Sequence, residues 1–203
     1  MHAMRGTLPA LLALLLAACG PQVPPIPEVS AADFPANAQA HVRQALAALD
    51  TKPKDAAANG RLGMLLHAHD RYADALVCYE RAAQFNPENA RWLYLVGQAR
   101  MAQGDPQGAI ESWQAAVALS RDAATFIHLG NALEAVGRLE DARVAFEDAL
   151  QVDAEAPAAL FGVARLLSAD GNQAEAIPLL EKAAAVAPDA GAVHYALGMA
   201  LRD

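Results

Sequence analysis

Only two cysteines, Cys19 and Cys78, occur in 203 residues. That excludes a scaffold stapled by disulfides. Aromatic residues make up 5% of the chain and charged residues 19%. Basic side chains are in the minority, 15 against 23 acidic, for a net charge of −8. A nucleic-acid binder needs a basic footprint to neutralise phosphates, so that class is excluded. No apolar run reaches the roughly 20 residues of a membrane-spanning helix. No Gly-rich turn follows a strand-like segment, as a phosphate cradle requires. The six histidines, the serines and the carboxylates form no nucleophile–base–orienter pattern. What the chain does have is alanine, 51 residues of it. Alanine is the best helix former and is poor in strands, so the expected class is all-α.

The N-terminus reads MHAMRGTLPALLALLLAACG. Arg5 supplies a positive charge, and residues 8–18 form an apolar run too short to span a bilayer. The run closes on Leu16-Ala17-Ala18-Cys19, an aliphatic residue and two small ones before a cysteine. This tetrad resembles the lipobox of bacterial lipoproteins. The resemblance implies that residues 1–18 are a signal peptide and that Cys19 becomes an acylated N-terminus. A thiolate is the nucleophile such a modification needs. One acyl chain anchors weakly, at about 0.8 kcal/mol per buried CH₂, and lipoproteins of this kind carry three. Gly20 after the cysteine, rather than aspartate, leans towards the outer membrane and a periplasm-facing site in the cell envelope. Without residues 1–18 the remainder carries a net charge of −9.

Residues 19–35 hold five of the 12 prolines: Pro21, Pro24, Pro25, Pro27 and Pro35. Proline lacks the N–H a helix needs and favours an extended chain. This segment is expected to be a tether, reaching roughly 50 Å at about 3.1 Å per residue. From residue 36 the composition turns to alanine and leucine at helical spacing.

A period then emerges. Units starting at Ala56, Ala90, Ala123 and Pro157 bring Gly63, Gly97, Gly130 and Ala164 to the eighth position, with Gly198 in a partial fifth. The steps between them are 34, 33, 34 and 34 residues. The twentieth position reads Ala75, Ala109, Ala142 and Ala176. The twenty-fourth reads Tyr79, Trp113, Phe146 and Leu180, and the twenty-seventh Ala82, Ala116, Ala149 and Ala183. These columns resemble the tetratricopeptide repeat, a helix–turn–helix unit of about 34 residues. The resemblance implies a right-handed solenoid in which no unit buries its apolar stripe alone. Small residues at positions eight and twenty let helices A and B of a unit approach. The large residue at position twenty-four is expected to fill the gap between units.

Turns between the A and B helices fall at Asp70-Arg71, Gly104-Asp105, Gly137-Arg138 and Gly171-Asn172. Residues 36–55 read as a lone B-type capping helix and its loop, ahead of the array at 56–203, which has four repeats and one final helix. Three departures stand out. One residue is missing near Ser120-Arg121, the usually large fourth position holds Asn59 in the first unit, and Pro178 lies inside a B helix, where it should kink the chain.

In relatives, the second, fifth, ninth and twelfth positions of helix A face a concave groove. The resemblance therefore makes Met64, Tyr94, Gln98, Ile127, Asn131, Phe161, Arg165 and Tyr195 the candidate peptide-binding residues. Aromatics and methionine give adaptable apolar contact, and the amides can bond an extended backbone. The carboxylate clamp of chaperone-binding relatives needs lysine and asparagine where this chain has Gly60 and Met64, so that partner class is not expected. His67 and His69 point to opposite sides of a helix, a poor metal geometry. Cys78 reads as a small buried hydrophobe. No metal, no cofactor and no catalysis are expected. The expected function is a membrane-anchored scaffold that binds envelope proteins or peptides, with self-association possible through the terminal helix near Leu197 and Leu201. The alternative is the N-terminal portion of a larger enzyme or cofactor protein that continues past residue 203.

Overall fold

The computed structural model describes residues 22–202. The leader and Cys19 lie outside the described residues. A single 3-10 turn at Ala31–Asp33 precedes ten α-helices. They are α1 (Ala36–Thr51), α2 (Ala56–His67), α3 (Tyr72–Phe85), α4 (Ala90–Ala102), α5 (Pro106–Leu119), α6 (Ala123–Ala135), α7 (Leu139–Val152), α8 (Pro157–Ala169), α9 (Gln173–Val186) and α10 (Gly191–Ala200). Each helix packs on its neighbour in sequence, most extensively within the pairs α2–α3, α4–α5, α6–α7 and α8–α9. This is the stacked solenoid the period predicts. Among the described residues there is no strand, and no helix is long and apolar enough to cross a membrane.

Local chemistry sets the helix ends. Asp55, Asn89, Asp105 and Asp122 cap α2, α4, α5 and α6 through side-chain bonds to backbone N–H groups. The turn within each pair needs one residue in the left-handed region: Asp70 (φ 59), Gly104 (φ 77), Gly137 (φ 78) and Gly171 (φ 79). The next residue reaches back to a carbonyl of the last turn, as Asp105 N–H does to Arg100 at 2.9 Å. The missing residue falls where an insertion or deletion is tolerated: three residues join α5 to α6, where four join α3 to α4.

The alanine and glycine columns face the core in the four full units, whereas Gly198 of the last helix is exposed. Ala75, Ala82, Ala142, Ala149, Ala176 and Ala183 are each 0% exposed. The large column does more than fill gaps between units. The Phe146 ring lies against Gly130 of its own unit and Gly162 of the next, where a Cβ would stand 2.6 and 2.7 Å from a ring carbon. Trp113 covers Gly97 in its own pair and stacks on His128 of the next unit, centroids 5.5 Å apart.

Pro178 does not end its helix: α9 runs from Gln173 to Val186 with the proline inside it. Ala174, whose carbonyl would bond the missing N–H, is exposed, as is Pro178, so water can serve that carbonyl. The segment expected to be a free tether is docked over much of its length. Ile26, Val29 and Ala31 pack on the N-terminal core and Phe34 is buried. Arg71 ion-pairs with Asp33 at 3.6 Å and stacks on the Phe34 ring.

The same region explains the odd polar residue. Asn59 is fully buried and donates to the carbonyls of Pro53 (3.1 Å) and Asp55 (2.8 Å). Its own carbonyl accepts from Arg81 Nε at 2.7 Å. Arg81 also donates to the Pro53 carbonyl at 2.9 Å and to the Pro24 carbonyl, and its guanidinium stacks on Phe85. A buried polar pair is tolerated because every strong donor and acceptor finds a partner.

Candidate functional site

Helices α2, α4, α6, α8 and α10 are the A helices of the units. Helix α6 touches α8, and α8 touches α10, while the B helices α3, α5, α7 and α9 make no comparable contact with one another. Elements converge on the inside of a curve and spread on the outside. The A helices therefore line the concave side, and their outward residues are the surface a ligand would meet.

A hydrogen-bonded cluster on this face joins Tyr94, Gln98 and His128. The Tyr94 hydroxyl lies 3.2 Å from His128 Nε2 and accepts from Gln98 Nε2 at 2.9 Å. Gln98 Nε2 is itself 3.1 Å from the same imidazole nitrogen. The imidazole stacks on Trp113, whose Nε1 donates to the Tyr94 carbonyl at 3.1 Å. Burial holds His128 below the ordinary histidine range, and the nearby charge of Asp122 only partly offsets it. The cluster is thus neutral at pH 7 and pre-set in geometry. His128 is not among the candidates that the sequence offers. Its signal there is position alone, next to Ile127 in a groove-facing column.

Five of the eight candidate residues line three hollows. Met64 lines the first, of about 490 Å³, with His41, Gln44, Arg61 and Leu65 between α1 and α2. Tyr94 lines the second, of about 860 Å³, with Arg91, Glu88, Asp122 and Thr125. Phe161, Arg165 and Tyr195 share the third, of about 380 Å³, with Met199 and Leu180. There Arg165 lies over the Phe161 ring at 5.1 Å and pairs with Glu134 of α6. Tyr195 is 73% exposed, so its ring is free to be covered. Ile127 is half-buried against the core, and Asn131 is exposed on α6; neither they nor Gln98 line these three hollows. Gly60 is covered by Trp92 of the next unit.

The remaining reactive side chains are engaged in packing. The His67 ring meets Tyr72 edge-on at 5.1 Å, and that of His69 meets Phe34 at 5.2 Å. Burial pushes the Cys78 thiol up to about 12, with Arg81 only partly opposing, which leaves it a poor nucleophile. Among the described residues, no group of three or more His, Cys, Asp or Glu is placed to hold a metal.

A tetratricopeptide-repeat profile matches residues 61–124, and a second profile of the same repeat matches residues 133–200. The chain belongs to the tetratricopeptide-repeat family, whose arrays mediate contacts between proteins. No curated protein matches it in sequence. Among solved structures it is similar to MamA, with a TM-score of 0.67 at 21% identity over 71% of this chain and 85% of MamA. It is also similar to YrrB, described as a TPR protein with an unusual peptide-binding site (TM-score 0.66, 24% identity, 79% of this chain and 85% of YrrB). A third is TTC0263, a thermophilic TPR protein of Thermus thermophilus (TM-score 0.60, 19% identity, 81% of this chain and 90% of that one). At these identities the likeness is one of fold.

Proposed function

We propose that the protein is a non-enzymatic interaction module that holds a partner polypeptide along its A-helix face, carried in the cell envelope on a lipid at Cys19. The observation that carries the binding half is the concave face itself, where half-buried Tyr94 and Gln98 and exposed Tyr195 present apolar rings and amide groups. The description of YrrB, a similar fold, as having an unusual peptide-binding site supports a peptide as the ligand. Support for the anchor comes from the Leu16–Cys19 tetrad after a short apolar run. A partner in the envelope, and an outer-membrane position facing the periplasm, follow from that anchor and from Gly20.

A photo-crosslinking residue at Tyr94 in the full chain, expressed in its native cells, tests the binding half. It should capture a partner that the same residue at Val144, 58% exposed on α7, does not. Tyr94→Ala with Phe161→Ala should abolish the capture at a crosslinker placed at Tyr195. Equal capture at Tyr94 and Val144 removes the assigned face. The anchor is tested by labelled fatty acid, which should enter the wild type and not Cys19→Ser.

A further inference from the structure

The two helix sets differ in charge. The A helices carry Arg61, Arg91, Arg100 and Arg165 against one carboxylate, Glu134. The B-type helices α1, α3, α5, α7 and α9 carry ten carboxylates against four cations. The concave side is thus a basic strip on an acidic protein. Two of its arginines are already used: Arg165 pairs with Glu134, and Arg100 turns to the B side, where it meets Glu80 at 3.1 Å. Arg61 and Arg91 are exposed and, among the described residues, form no ion pair.

Their setting is specific. Arg61 lines the first hollow together with Met64. The Arg91 guanidinium, on the next A helix, approaches Met64 Sδ at 3.3 Å and lies over the Trp92 ring. Two free guanidinium groups therefore flank one thioether, with Tyr94 of the second hollow beside them. Neither forms an ion pair with the carboxylates nearby: Asp55 and Asp122 accept from the backbone N–H groups they cap, and Glu88 lines the second hollow together with Arg91. At the far end Arg202 sits on Met199 beside Tyr195, again without an ion pair among the described residues.

We propose that the ligand of the A-helix face is an acidic, extended polypeptide segment whose carboxylates meet Arg61 and Arg91 and whose apolar side chains enter the hollows between them. This rests on the binding half of the proposed function and adds the chemistry of the partner. Five A helices at about 10 Å spacing span roughly 40 Å, which an extended segment of about a dozen residues covers. The protein's net charge of −8 disfavours acidic chains on its predominantly acidic B-helix side, so the strip also selects orientation.

The test is selection of a random dodecamer phage-display library on the full chain in non-ionic detergent. Wild type should enrich sequences rich in Asp and Glu interleaved with aromatic or branched apolar residues. Synthetic copies of these should bind about tenfold more weakly to Arg61→Gln/Arg91→Gln, and the difference should shrink at about 500 mM salt. Circular dichroism confirms that the variant is folded. Enrichment of neutral or basic peptides that still depend on Tyr94 and Phe161 overturns the acidic ligand and leaves the groove standing. Enrichment of acidic peptides that bind the Gln variant equally well overturns the role of the arginines. No enrichment at all, or peptides indifferent to both Tyr94→Ala/Phe161→Ala and the Gln variant, overturns the groove reading as well.

Discussion

If Phe146 is the pin between two units, a methyl group added to its glycine neighbour should be harmful or helpful depending on whether the ring is there. Phe146 is 0% exposed, and its ring is held between Gly130 of α6 and Gly162 of α8. Removing it as Phe146→Ala leaves a cavity and costs about 3–5 kcal/mol. Gly130→Ala alone gains about 1 kcal/mol of helix propensity but sets a Cβ 2.6 Å from the ring. The ring cannot retreat, because Gly162 backs it. Overpacking of this kind costs about 1–3 kcal/mol, so after the helix gain the single variant is less stable than wild type by about 1 kcal/mol at the midpoint of that range. In the Phe146→Ala background the same methyl meets empty space. It keeps the helix gain and refills part of the cavity, worth about 0.6 kcal/mol for a volume near 27 Å³. The double variant is therefore more stable than Phe146→Ala by about 1.5 kcal/mol, with a coupling energy of about 3 kcal/mol. Urea unfolding of the full chain, followed by far-ultraviolet circular dichroism, measures all four corners of this cycle. Effects that add within about 0.5 kcal/mol, or a Gly130→Ala protein that gains stability with the ring in place, refute the packing argument.

Two pH predictions come from buried groups. His128 titrates below the ordinary range because burial disfavours its cation. Its contribution to stability is complete above about pH 6.5 and is lost as pH falls through the depressed folded value. Thermal melts should lose less stability between neutral and acid pH in His128→Gln than in wild type; an identical slope counts against it. Cys78 is an acid with a raised folded value, so its contribution is complete below about pH 8.5 and fades as pH climbs towards about 12. In the Cys19→Ser protein a thiol reagent at neutral pH should label Cys78 only at the rate of unfolding. Rapid stoichiometric labelling of the native state would show the thiol accessible.

What the sequence made legible was whatever repeats. Gly63, Gly97 and Gly130 predict their own packing because each meets the same ring position, and the turn residues recur at the same step. Single events were not legible. Asn59 reads as a defect in an apolar column because its partner, Arg81, lies 22 residues away and outside any column. His128 escapes for the same reason: its importance comes from Tyr94 and Trp113 of the preceding unit, a contact periodicity does not encode. The candidate groove rests on family positions; of these, Tyr94 and Gln98 are half-buried on α4 and hydrogen-bonded to each other. Family positions do not tell how deeply each residue sits: Ile127, like Tyr94 and Phe161, is half-buried against the core. The docked N-terminal segment is hidden because its prolines dictate an extended chain but not what that chain lies against.

That docking sets how far the array can stand from any anchor at Cys19. A free segment would allow roughly 50 Å; a chain held from Pro24 onward leaves only residues 20–23 to reach, about 14 Å when extended. Arg81 is the clasp, since it is the one side chain that ties the Pro24 carbonyl, the Pro53 carbonyl and Asn59 to α3. Arg81→Met keeps the length of the stem and its packing on Phe85 but removes every donor. It leaves the Asn59 carbonyl buried without a partner, at a cost of about 1–3 kcal/mol. The N-terminal segment loses its polar hold while Ile26, Val29 and Phe34 keep their apolar one. Limited proteolysis should then cut within residues 22–30 well before the helices, while wild type is cut there slowly. Asn59→Leu/Arg81→Met restores the apolar match and should recover stability without recovering protection of the segment. A segment equally protected in all three proteins would mean that the apolar contacts alone hold it, and that the clasp is incidental.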